Sequence, residues 1–291
     1  MAMDEAVLVK RQSKRRMLNS IMSKVFFLST MIGIVVLIIL LASILKQGVG
    51  ALSIDFFTNF SSSRPERAGI KGALIGTLWL MALTTPIAVI LSVGTAIYLE
   101  EYAPKNKLTH FIEVNISNLA GVPSVVFGLL GLTIFVRQFG LGNSVLAASL
   151  TLALMIMPVI IVSSKEALRS VPNSIREGSI GLGASKWQTI YRIVLPAAVP
   201  GIITGIILAV SRAIGETAPL VVIGIPVALL ATPKSVFDSF QALPMQIYNW
   251  VKMPQEAFVS LTSAGIIVLL AMLLLMNLVA VLIRNKYSKR F

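Results

Sequence analysis

The sequence contains no cysteine and a single histidine, His110. The first absence excludes disulfides, thiolate nucleophiles and iron–sulfur ligation. The second leaves no histidine pair for a metal site, and His110 reads as a solvated or headgroup-level side chain. Charge is also scarce: 13% of residues are Asp, Glu, Lys or Arg, about half the usual share of a soluble domain. Acids are fewest, 12 against 25 basic residues. The dipeptide Gly-Lys is absent, so no G-x-x-x-x-G-K-[ST] loop exists to cradle the phosphates of ATP. No Ser/His/Asp, Cys/His or clustered-carboxylate set appears. The chain reads as a non-catalytic protein without a cofactor.

What fills the space is apolar. Of 291 residues, 56% are hydrophobic and the mean hydropathy is +0.87. Charge-free runs cover Val25–Leu45, Gly72–Leu99, Val114–Val136, Gln138–Ser164 and Ala257–Ile283, each long enough for the roughly 20 residues a membrane helix needs. A sixth apolar segment lies between Arg192 and Lys234, interrupted only by Arg212 and Glu216. This predicts an all-α membrane protein with six transmembrane helices. With both termini cytoplasmic, 17 Lys and Arg fall inside and 7 outside, Arg212 being the remaining one. That asymmetry is the positive-inside pattern. The net charge of +13 is therefore a topology signal and an attraction to membrane lipid, not a nucleic-acid footprint. The first apolar run, 21 residues, exceeds the about 7–15 residues of a signal-peptide core and reads as a retained anchor.

The expected organisation is a basic cytoplasmic tail over 1–24, a first membrane helix and outer loop over 25–69, a core over 70–285, and a short tail over 286–291. Pro86 lies inside span two, and Glu100-Glu101-Tyr102-Ala103-Pro104 ends that span. Span three contains Gly121-Val122-Pro123-Ser124. This step is either a packing kink or a broken helix of the kind that exposes backbone to a transport pathway. An outer segment, 226–255, carries Pro233, Pro244 and Pro254 and the run Leu243 to Trp250; its aromatics suit a membrane–water interface.

Two features carry chemistry. The first is a polar loop, 165–196, between spans four and five. Pro172 suits a first helical turn, Gly181 and Gly183 suit a tight turn, and Ser185-Lys186-Trp187-Gln188 fits a capping box. Pro196 is expected to end the second helix after Leu195, which makes a helix–turn–helix. Trp187, Ile190 and Tyr191 need an apolar surface, either span ends or a partner. The second feature is the pair Arg212 and Glu216, the only charges deep in a span. Arg212 lies 12 residues past Pro200, about 18 Å along a helix. A charge there costs roughly 2.5–3.5 kcal/mol against lipid, so both must face protein or water. Their i, i+4 spacing allows an internal ion pair. An arginine there also suits a passing oxyanion, because its planar fork donates two parallel hydrogen bonds.

Glu177-Gly178-Ser179-x3-Gly183-x9-Ile193-x-Leu195-Pro196 resembles the coupling-loop pattern E-A-A-x3-G-x9-I-x-L-P of bacterial ABC importer permeases. Gly215-Glu216-Thr217-Ala218-Pro219-Leu220 and Leu243-Pro244-x-Gln246-Ile247-Tyr248-x-Trp250 resemble the phosphate branch of those importers, the PstA type, over about 70–285. The departures are Gly178 and Ser179 in place of the two alanines, and Gly178 lowers helix propensity by about 1 kcal/mol relative to alanine. The resemblance implies a type I ABC importer permease fold in the bacterial plasma membrane. It implies ATPase docking through Glu177, Gly178, Ser179, Gly183, Ile193, Leu195 and Pro196, and a substrate pathway through Arg212, Glu216 and Thr217. It also implies a PstC-like second permease, a PstB-like ATPase dimer, a PstS-like phosphate-binding protein, and phosphate as cargo. Molybdate, sulfate or phosphonate cargo, an ATP-independent transporter and a membrane scaffold are the competing readings.

Overall fold

A computed structural model describes residues 2–287, with side chains described for 15–286. The expected tail charges Lys10, Arg11, Lys14, Lys289 and Arg290 lie outside the described side chains. Helix α1 (Ala2–Gly48) is continuous, so the basic segment before residue 25 is the first part of the same helix as the apolar run. A short α2 (Ile54–Thr58) follows, its first turn capped by the Ser53 hydroxyl, which accepts from the Phe56 amide. Helix α3 (Lys71–Ile97) runs through Pro86 and ends in a π turn, Tyr98–Tyr102.

The third apolar run does not form one straight span. Helix α4 (Lys107–Leu119) and α5 (Ser124–Gly131, extended by a π turn to Gln138) meet at 104°. Pro123 has no amide hydrogen and its ring collides with the preceding turn, so the helix stops and restarts with Pro123 as N-cap. The Gly121-Val122-Pro123 step is therefore a break rather than a kink. The expected six spans resolve as five long apolar helices and this bent pair.

Helix α6 (Val145–Arg169) is the centre of the bundle, buried along most of its length. The chain then enters the polar loop through α7 (Asn173–Gly181) and α8 (Lys186–Thr189). A π turn, Ile190–Val194, leads into α9 (Leu195–Gly215). Pro196 was expected to end the loop's second helix; instead Lys186–Gly215 is one helical run. The missing proline donor sits just after the wider π turn, where the regular bonding pattern is already interrupted. Beyond it lie α10 (Ala218–Ile223), an irregular stretch, α11 (Leu243–Val251) and α12 (Ala257–Tyr287).

Helices α3, α6 and α9 hold together through apolar packing, with Leu80, Met81, Leu152, Ile156, Ala209 and Ala213 in the main cluster. Buried hydroxyls staple α3 to α6: Ser149 donates to the Leu80 carbonyl at 3.3 Å and Ser92 to that of Met157 at 3.4 Å. At the other end of the chain Trp250 departs from its expected interfacial position. It is 1% exposed and packs on Phe56 and Phe258, because α11 folds back over α2 and α12 and closes a second core. With its amide turned to satisfy both ends, Gln246 accepts from the Trp250 indole at 2.7 Å.

Candidate functional site

The polar loop is a rigid knob. Ser185 and Gln188 form the expected capping box, each side chain bonded to the other's backbone amide. Gly183 sits at φ +88°, a left-handed conformation that glycine adopts without steric cost. Pro172 precedes α7 as its N-cap rather than starting its first turn. Inside the knob the Ser179 and Thr189 hydroxyls meet at 2.9 Å and both side chains are buried.

This knob is fastened to the end of α3. Arg176 donates to Glu101 at 3.0 Å, to the Leu168 carbonyl at 2.7 Å, to Asn173 Oδ1 at 3.1 Å and to the Val171 carbonyl. The pair is sheltered, with side chains 17% and 9% exposed. Arg169 grips Glu100 through two bonds, 3.2 and 3.1 Å, and Lys186 lies 5.0 Å over the Tyr102 ring. Both carboxylates belong to the π turn that ends α3. In the sequence Glu100 and Glu101 read only as the end of span two, and Arg169 and Arg176 were not singled out. Their signal is visible in retrospect: two acids follow one span directly, and two arginines follow another span of the same polarity.

The outer surface of the knob carries an apolar crest among exposed polar side chains such as Glu177, Gln188 and Arg192. Leu182 is 92% exposed, and Ile180, Trp187 and Tyr191 are also exposed, the last two stacked at 5.9 Å. Ile190 turns inward and is buried. Among the motif residues, Glu177, Gly178, Gly183 and Pro196 are exposed, Ile193 and Leu195 are half-buried, and Ser179 is buried. Ser179 therefore holds the knob together from within and presents no surface to a partner.

The second candidate lies along α9. Gly201 stands against Ala167, where an added Cβ would come within 2.7 Å, and Gly205 stands against Ser163. These contacts fix the antiparallel register of α6 and α9. Carried two turns further, the register puts Arg212 level with Ile156, the middle of the 25-residue α6. Arg212 occupies the last turn of α9, and Glu216 is its C-cap with extended backbone. Arg212 Nε donates to Glu216 Oε1 at 3.1 Å. The arginine is 42% exposed and the glutamate 17%. Among the described residues, neither terminal nitrogen of Arg212 has a hydrogen-bond partner. Thr217, half-buried, begins α10 without a side-chain cap. Gly128 of α5 lies against Pro219, an added Cβ meeting it at 2.9 Å, so the broken span backs the broken helix. On a neighbouring face, Ser211 donates to Asn277 of α12 at 2.7 Å.

Residues 88–291 match the family of binding-protein-dependent transport system inner membrane components. The chain belongs to that family.

This family member is 34% identical to the phosphate transport system permease protein PstA 1 of Mycobacterium tuberculosis, over 95% of this chain and 92% of that protein. It is 37% identical to PstA of Mycobacterium leprae, over 84% and 81%. It is 34% identical to YqgI of Bacillus subtilis, a probable ABC transporter permease protein, over 81% and 80%. In fold it is similar to a chain of the methionine ABC transporter MetNI, with TM-score 0.62 and 17% identity over 78% of this chain and all of that one. A chain of a bacterial alginate ABC transporter gives TM-score 0.62 and 17% identity over 95% and 96%. The fold is that of type I ABC importer permeases, and the protein is a multi-pass, non-catalytic component of the inner membrane.

Proposed function

We propose that this chain is a transmembrane permease subunit of an ATP-driven inorganic phosphate importer. It forms half of the translocation pathway, beside a PstC-like second permease. A PstB-like ATPase dimer docks on the 165–196 loop, and a PstS-like binding protein delivers phosphate at the opposite end. Both termini are cytoplasmic, the orientation that puts 17 basic residues inside and 7 outside. We propose the loop 165–196, the membrane domain 70–285 and the two tails as its functional units.

The observation that carries this reading is the knob itself: an exposed apolar crest of Ile180, Leu182, Trp187 and Tyr191 on a loop welded to α3 and continuous with α9. An isolated polar loop has no use for such a crest. When a partner ATPase closes, force applied to the crest passes into two spans without loss in a flexible joint. Phosphate as cargo is supported by the PstA relatives and by the unsatisfied end of Arg212, whose fork matches a phosphate edge. Glu216 holds Arg212 when the pathway is empty and releases it to an arriving anion. Thr217 offers a hydroxyl at the same break.

The test is phosphate uptake and ATP hydrolysis in liposomes holding both permeases and the ATPase, with binding protein added. Uptake and hydrolysis that both require phosphate-loaded binding protein support the proposal. Stimulated hydrolysis without phosphate movement keeps the importer and changes the cargo to another oxyanion. Phosphate movement without the ATPase defeats the role of the loop.

A further inference from the structure

Between Glu101 and Glu166 the sequence has a single acid, Glu113. It stands in α4, the first arm of the broken span. Its partner is the Lys165 ammonium on α6, one helical turn before Arg169. Both side chains are sheltered, 27% exposed for the acid and 12% for the lysine. Leu99, Ile116 and Ile161 line the same small cavity as the pair, so the two charges meet in largely apolar surroundings. Ile116 also packs on the cluster that contains Leu99, Leu168, Val194 and Ala198. That cluster joins the ends of α3, α6 and α9 at the root of the knob.

The other arm of the break is fixed by different means. Gly128 and Gly131 of α5 leave no room for a side chain. An added Cβ at the first would lie 2.9 Å from Pro219 and from Val222 of α10, and one at the second would collide with Thr151 of α6. Helix α10 begins directly after Glu216 and Thr217, and the short step 120–123 joins the two arms. Arg169 and Arg176 tie α6 and the knob to the end of α3. Among the described residues, the ion pair that reaches α4 is Glu113 with Lys165. Packed side chains, ion pairs and rigid elements in series are what transmit a displacement, and this route from the knob to the Arg212 site has all three. We infer that Glu113 and Lys165 are positioning residues of the transport cycle, whose pair makes α4 move with the knob end of α6 and so keeps α5 and the segment after Glu216 in step with the ATPase. The role in transport rests on the proposed function; the pairing that holds α4 on α6 does not.

The first arm of the test uses the complete complex in liposomes with phosphate-loaded binding protein and reads phosphate taken up per ATP hydrolysed. Glu113→Gln, close to isosteric, and Lys165→Met should each lower that ratio by about tenfold, while binding-protein-stimulated hydrolysis persists. Exchange of the charges, Glu113→Lys with Lys165→Glu, should restore most of it. Unchanged ratios in the single variants overturn the inference, and so does a loss that the exchange leaves in place. The second arm needs no partner subunit. The absence of native cysteine lets spin labels be set at Phe111→Cys on α4 and Leu182→Cys on the knob, both exposed, in the full chain in nanodiscs. The label-to-label distance should be narrowly distributed with the pair intact, broader with Glu113→Gln, and narrow again with the exchange. Equal widths in all three overturn the inference. A wild-type complex whose hydrolysis ignores the binding protein defeats the proposed function and the transport role with it, while the distances still report the pairing.

Discussion

Two arginine–glutamate pairs in this molecule have nearly the same length and opposite characters. Arg176 and Glu101, 3.0 Å apart, are sheltered, and the arginine also satisfies two carbonyls and an asparagine. Arg212 and Glu216, 3.1 Å apart, share one hydrogen bond, and the arginine is 42% exposed at the mid-level of the bundle. In the first pair both terminal nitrogens of the arginine are bonded to its own chain, which makes it a weld. The second keeps unused donors on a face that its own chain leaves open, which makes it a site. Distance alone does not separate structure from function; the number of partners and the cover do.

The sharpest way to break this contrast is to remove the charge from the open pair. Arg212→Leu is expected to abolish phosphate uptake, by 100-fold or more on the scale of about 3 kcal/mol for a charge-assisted contact, while the subunits still co-purify. Uptake near the wild-type rate would return the pair to a purely structural role. Arg176→Ala should act in the reverse sense, destabilising the fold by about 1–3 kcal/mol because the sheltered Glu101 carboxylate is left without its partner. The readouts are thermal denaturation and retention of the ATPase; an unchanged melting temperature would show that the weld carries no load.

Smaller effects test the knob between the two pairs. Gly183→Val forces a β-branched residue into φ +88°, at a cost of about 1–3 kcal/mol. It should reduce ATPase co-purification and uncouple hydrolysis from uptake, and retention of both would remove Gly183 from docking. Ser179→Ala should cost about 1 kcal/mol, with most of that loss cancelled in a background of Thr189→Val. Additive losses in that double-mutant cycle would mean that the two hydroxyls do not act together.

Legibility in the sequence followed the range of the interaction. The capping box at Ser185–Gln188 and the turn at Gly183 were readable, because each depends on neighbours within a few residues. The spans were readable because hydrocarbon imposes a length and excludes charge. The continuity of Lys186–Gly215 through Pro196 was not, since the π turn that accommodates the proline is a cooperative adjustment of several carbonyls. The burial of Trp250 was not, since an aromatic at a span end looks the same whether α11 faces headgroups or folds back on Phe56.

By itself the sequence determined a membrane-spanning helical chain, most of its span positions, a polar loop with a tight turn at Gly183, and a charged pair inside an apolar segment. These follow from composition, local stereochemistry and the energetics of charge in hydrocarbon. Only the tertiary structure decided that Glu100 and Glu101 receive Arg169 and Arg176, that Ser179 faces inward, that α4 and α5 meet at 104°, and that Arg212 stands level with Ile156. Those facts depend on the register in which helices distant in sequence pack. Between α6 and α9 that register is set by glycines meeting small side chains, and between α3 and α6 by buried hydroxyls meeting carbonyls, which no local pattern encodes.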